Sequence, residues 1–138
     1  MILRTIATAC LFALPAVAAL AQDADITGDA AKGEKVFRKC MACHAVGADA
    51  ANKVGPELNG IIGREAAAVA EFEYSDALVA KAGEGLVWTP ESLAAFLEKP
   101  RDYVKGTKMS FAGLRKEDER ADVIAYLAQF DAEGGQGS

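Results

Sequence analysis

The stretch Cys40-Met41-Ala42-Cys43-His44 (CMACH, residues 40–44) sets two cysteines beside the chain's only histidine. Three chemistries use a Cys-x-x-Cys pair. A redox-active disulfide sits beside a strand–helix–strand unit, and no strand pattern flanks this motif. Structural zinc needs four ligands around a tetrahedron. Two thiols and an adjacent imidazole are packed too closely for that, and no second cluster completes the set. In the third chemistry both thiols form thioethers with the edge of a haem, and the histidine that follows reaches its iron. Only this one needs a histidine directly after the second cysteine. The motif therefore predicts one covalently attached haem c, held by Cys40 and Cys43, with His44 as an axial iron ligand.

Around the motif the pattern is helical. In "DAAKGEKVFRKCMAC" (29–43), Ala30, Gly33, Val36, Phe37 and Cys40 recur at spacings of three and four, which predicts an amphipathic helix. Gly33 costs that helix about 1 kcal/mol relative to alanine, which makes sense if another helix crosses closely. Residues 45–74 are irregular, punctuated by Gly55, Pro56, Gly60 and Gly63. Ser75 caps a short helix, "DALVAKAG", that stops near Gly83 or Gly85. Thr89, Pro90 and Glu91 start the next, "ESLAAFLEK", which must end before Pro100. Residues 100–116 are again irregular, and Asp118 caps a last helix, "ERADVIAYLAQF", striped by Val123, Ile124, Leu127 and Phe130. The fold class is all-α: three to five helices and long loops. So much irregular chain in a small domain leaves few core side chains, and a haem plate can fill the centre.

Residues 1–21 begin with a positive charge, continue as an apolar run and end Ala19-Leu20-Ala21, the layout of a secretory signal peptide cleaved after Ala21. The competing reading is an uncleaved anchor. Export to the periplasm suits haem attachment, which takes place outside the bacterial inner membrane. Residues 22–28 read as a flexible mature N-terminus, 29–131 as the domain, and 132–138 as a flexible glycine-rich tail. The net charge of −5 argues against a nucleic-acid binder, whose phosphate contacts need a basic surface. Lys39, Lys53, Arg101, Lys105, Lys108, Arg115 and Lys116 lie mostly near the motif and the second loop. They form one positive face or merely solvate the surface; the sequence leaves both open.

An iron held by His44 takes a second axial ligand or stays open to small molecules. Among methionines, Met1 goes with the leader and Met41 is trapped in the attachment motif. Met109, in the irregular "KGTKMSFAG" loop, is the expected ligand. His/Met ligation favours ferrous iron and raises the reduction potential.

"GDAAKGEKVFRKCMACH", "VGPELNGIIGR" and "FLEKPRDYVKGTKMSFAGLRKEDERADVIAYLAQF" together resemble class I cytochrome c of the bacterial cytochrome c2 type, relatives of mitochondrial cytochrome c. The likeness spans roughly residues 28–131. It implies that Cys40 and Cys43 carry the haem and that His44 and Met109 ligate the iron. Pro56 then accepts a hydrogen bond from the ligand histidine, while Arg64, Tyr74 and Trp88 hold the inner propionate. Thr107 stands beside that propionate, and Phe111 closes the loop. Gly33, Phe37 and Tyr126 form a helix crossing. Phe96 stands where relatives have a tyrosine bonded to the methionine sulfur, Leu78 replaces a polar residue, and Lys105 stands where proline is frequent.

The resemblance implies a soluble, monomeric electron carrier, not an enzyme. It would dock transiently to take one electron from a cytochrome bc1 complex. A terminal oxidase or photosynthetic reaction centre would receive it. Lys39, Arg101, Lys105, Lys108, Arg115 and Lys116 would surround the exposed haem edge. A peroxidase or gas sensor would need an opened iron, and no distal histidine or arginine is evident to assist it.

Overall fold

The computed structural model describes residues 25–137. The expected leader (1–21) and the tail's final Ser138 lie outside that range, as do residues 22–24. Asp29 opens α1 (Ala30–Phe37): its carboxylate accepts from the Ala31 and Lys32 amides at 2.9 and 3.2 Å, satisfying donors a helix start leaves unpaired. The regular helix stops at Phe37, short of the expected Cys43. Beyond it the amides of Lys39, Cys40 and Cys43 bond three residues back, at 3.0, 2.7 and 3.0 Å. This tighter winding, unlike a continued α-helix, carries the attachment motif in turns.

Ser75 caps α2 (Asp76–Gly83) and Thr89 caps α3 (Pro90–Glu98), each side-chain oxygen accepting a first-turn amide. α3 breaks at Lys99, as Pro100 requires. Pro100 nevertheless starts a further single turn, α4 (Pro100–Tyr103), where an irregular segment was expected. A proline that ends one helix is well suited to the first position of the next. The last helix, α5, spans Glu117–Leu127. Its N-cap is Lys116, not Asp118. Asp118 lies inside the first turn with Glu117 and Glu119, where three carboxylates face the positive end of the helix dipole.

α1 and α5 cross at Gly28 and Gly33, against the Ala121 and Asp122 backbone. The Asp29 amide donates to Asp122 Oδ1 at 2.8 Å, and the Phe37 and Tyr126 rings lie 5.4 Å apart. α3 packs on α5, and Leu93, Phe96, Leu97, Val104, Leu114, Val123, Ile124 and Leu127 form the buried centre. Among the described residues there are no strands, only isolated bridges, Glu65 with Val87 and Phe130 with Gln136. Residues 132–137, expected as a loose tail, fold back: Gly137 donates to the Gln129 carbonyl at 3.1 Å, and Gly134 backs onto Gly47. No described helix is long and apolar enough to cross a membrane.

Candidate haem-binding site

The turns after α1 deliver Cys40, Cys43 and His44 as half-buried side chains, with both thiols free of any disulfide. The 53–58 loop then wraps the histidine. The Gly55 amide donates to the Cys43 carbonyl at 2.9 Å, the Leu58 amide to Ala45 at 3.0 Å, and Lys53 Nζ to Met41 at 2.6 Å. This places the Pro56 carbonyl 2.7 Å from His44 Nδ1. A carbonyl only accepts, so Nδ1 carries the proton and Nε2 keeps its lone pair for a metal. Burial pushes the His44 pKa down, the Pro56 hydrogen bond partly opposes this, and Lys53 lowers it further. The neutral ring is the ligating form. Burial also raises the Cys40 thiol, with Lys39 opposing and Cys43 adding to the rise.

Gly55 lies against the imidazole so closely that a Cβ there would strike Cε1, Nδ1 and Nε2. Gly55→Ala will therefore lower the unfolding free energy of the haem protein by about 2 kcal/mol in guanidinium titration. Gly83→Ala, at a helical position with open space around it, will not lower it.

Arg64 and Trp88 are brought together by backbone pairing: the Trp88 amide donates to the Arg64 carbonyl at 2.9 Å, and the Gly63 amide to Trp88 at 2.8 Å. Arg64 Nη1 donates to the Asn59 carbonyl at 2.9 Å and to Glu57 Oε1 at 3.3 Å; Nη2 donates to the Glu57 carbonyl at 3.1 Å. Its Nε is buried and has no partner among the described residues. The Tyr74 hydroxyl accepts from the Val69 amide at 3.1 Å and keeps its own proton to donate. Its ring meets Phe72 edge-on at 4.8 Å. No hydrogen bond joins Tyr74 to Arg64 or Trp88 among the described residues.

The Met109 loop is pinned at both ends. Val104 and Leu114 are buried, the Leu114 amide donates to Leu97 at 2.7 Å, and Gly113 (φ 102°) packs on the Glu98 carbonyl. Thr107 Oγ1 accepts from the Met109 amide at 3.2 Å. Lys108 ties the loop to Glu73, next to Tyr74, at 3.4 Å. Met109 and Phe111 are half-buried against the core. Phe96 packs instead on Trp88 (5.0 Å) and Tyr103 (6.2 Å).

Sequence reasoning missed Glu57, Asn59 and the Gly55–His44 contact. Asn59 is buried and bonds both the amide and the carbonyl of Gly47 at 2.9 Å. No spacing rule marks it, because its partners come together only when the loop closes.

The residues fit a haem. Two thiols and an imidazole with a free Nε2 stand on one short segment, and an orphaned, buried arginine N–H suits a propionate. Cys40, Leu58, Ile62, Met109 and Phe111 are half-buried apolar side chains on the core.

Comparison with known proteins agrees. The cytochrome c family model matches residues 30–131. The chain is 53% identical to cytochrome c2 of Agrobacterium tumefaciens (strain II Chrys) over 100 residues, covering 72% of this chain and 90% of that protein. It is 56% identical to cytochrome c-550 of Ancylobacter novellus over 104 residues, covering 75% and 97%. The solved cytochrome c2 of Rhodospirillum centenum superposes with a TM-score of 0.72 at 47% identity, covering 75% of this chain and 99% of that one. With a histidine cradle, an attachment motif and relatives all pointing one way, this chain belongs to the cytochrome c family, of the cytochrome c2 type, and is an electron carrier with one covalently attached haem c.

Proposed function

We propose that this cytochrome shuttles single electrons in the periplasm from a cytochrome bc1 complex to a terminal oxidase or photosynthetic reaction centre, with His44 and Met109 as axial ligands. The observation that supports the reading is the His44 Nδ1–Pro56 hydrogen bond at 2.7 Å, which leaves the Nε2 lone pair available to a metal. Met109, in a loop pinned at both ends, supports a closed site in which neither ligand leaves. The haem supplies the one-electron couple, with a potential raised by His/Met ligation. Arg64, Tyr74, Trp88 and Thr107 hold the propionate in this reading. Cys40 and Cys43 keep the group from being lost after export.

The basic residues expected to meet partners are not equivalent. Lys39 pairs with Glu119 at 3.1 Å and Lys108 with Glu73 at 3.4 Å. Arg101, Lys105, Arg115 and Lys116 are exposed and make no ion pair among the described residues. These four steer the protein onto an acidic partner, and exposed charges of this kind are screened by salt. Reduction of the haem protein by purified cytochrome bc1 complex, followed by stopped-flow absorbance, will slow about tenfold or more between low and physiological ionic strength. A rate independent of salt would overturn the docking surface. No reduction at any salt would overturn the donor.

A further inference from the structure

We infer that Glu57 is a positioning residue for Arg64 and lowers the reduction potential of the haem; this rests on the proposed contact between Arg64 and the propionate. Glu57 holds the guanidinium twice, through its carboxylate at 3.3 Å and its main-chain carbonyl at 3.1 Å. The carboxylate is itself fixed, since Oε2 accepts from the Asn59 amide at 2.6 Å and the Glu57 amide donates to Asn52 Oδ1 at 2.9 Å. Asn59 in turn bonds Gly47 on both its amide and its carbonyl. The terminal nitrogens of Arg64 are thereby drawn to one side, and Nε is left buried with no partner among the described residues.

Geometry and charge act together here. The Glu57 and Arg64 side chains are only 22% and 18% exposed, so water screens them far less than a surface pair. A carboxylate in this place offsets part of the Arg64 charge and favours the oxidised haem, which carries one more positive charge. Arg64 alone favours the reduced form.

The test is the midpoint potential of the purified haem protein, read by optical titration against redox mediators. Glu57→Gln keeps an acceptor for Asn59 and removes the charge. It will shift the equilibrium toward the reduced form by about three- to tenfold, roughly 28 to 59 mV for one electron. Glu57→Asn makes the same charge change in a shorter side chain and serves if the first variant does not accumulate. Arg64→Gln will shift the potential the opposite way, and the exposed Glu117→Gln will leave it unmoved. A potential unchanged in the Glu57 variants but lowered in Arg64→Gln would overturn the role of Glu57 alone. A potential unchanged in all of them would also overturn the reading of Arg64.

Discussion

Replacing Met109 with alanine will open the iron. The oxidised variant will lack the weak red absorption band expected of sulfur ligation, and the reduced variant will bind carbon monoxide. The potential will fall by a few tenths of a volt, within the roughly 0.8 V that axial ligands span. The reason lies in the loop as much as in the sulfur. Buried Val104 and Leu114, the Leu114–Leu97 hydrogen bond and the Thr107–Met109 bond hold residues 104–114 in place with or without the thioether. A truncated side chain therefore leaves a gap that the loop does not close. Met41 is no substitute: it sits in the attachment turn, 53% exposed, with its carbonyl held by Lys53. A sulfur band that survives in Met109→Ala, with no carbon monoxide binding, would show that another residue closes the iron.

Gly33→Ala will cost about 3 kcal/mol or more of stability, read as a lower guanidinium midpoint of the haem protein. Two effects oppose each other. Alanine favours the helix by about 1 kcal/mol over glycine. The added methyl, however, meets the Asp122 carbonyl and the Tyr126 Cβ across the α1–α5 crossing. A backbone carbonyl inside a helix has no rotamer to yield, so the helices must separate. That separation would pull apart the Asp29–Asp122 bond and the Phe37–Tyr126 contact. The collision wins. A variant as stable as the wild type would mean that the crossing tolerates a wider spacing, and that Gly33 is not needed for it.

Local chemistry was legible in the sequence where the partners are neighbours along the chain. Ser75 and Thr89 cap the helices expected of them, because each accepts from an amide three residues ahead. The same reasoning failed at Asp118. Glu117, Asp118 and Glu119 all favour a helix start, and the sequence does not rank them; the observed N-cap is Lys116, without a side-chain bond. It failed again after Phe37, where hydrophobic spacing continues through Cys40 but the amides of Lys39, Cys40 and Cys43 bond only three residues back.

The sequence by itself determined the haem attachment, since CMACH is contiguous and its chemistry depends on residue types at fixed spacing. It also determined the all-α class. Tertiary structure decided how those residues are held. The Nδ1 proton of His44 is fixed by Pro56, twelve positions away. Gly33 is explained only by Asp122 on the last helix. Glu57 reaches Arg64 across the Asn59 turn and leaves one guanidinium N–H buried without a partner among the described residues. Each depends on a distance between atoms remote in the chain. Such distances arise only when the loops close over a shared core, and no local propensity encodes them.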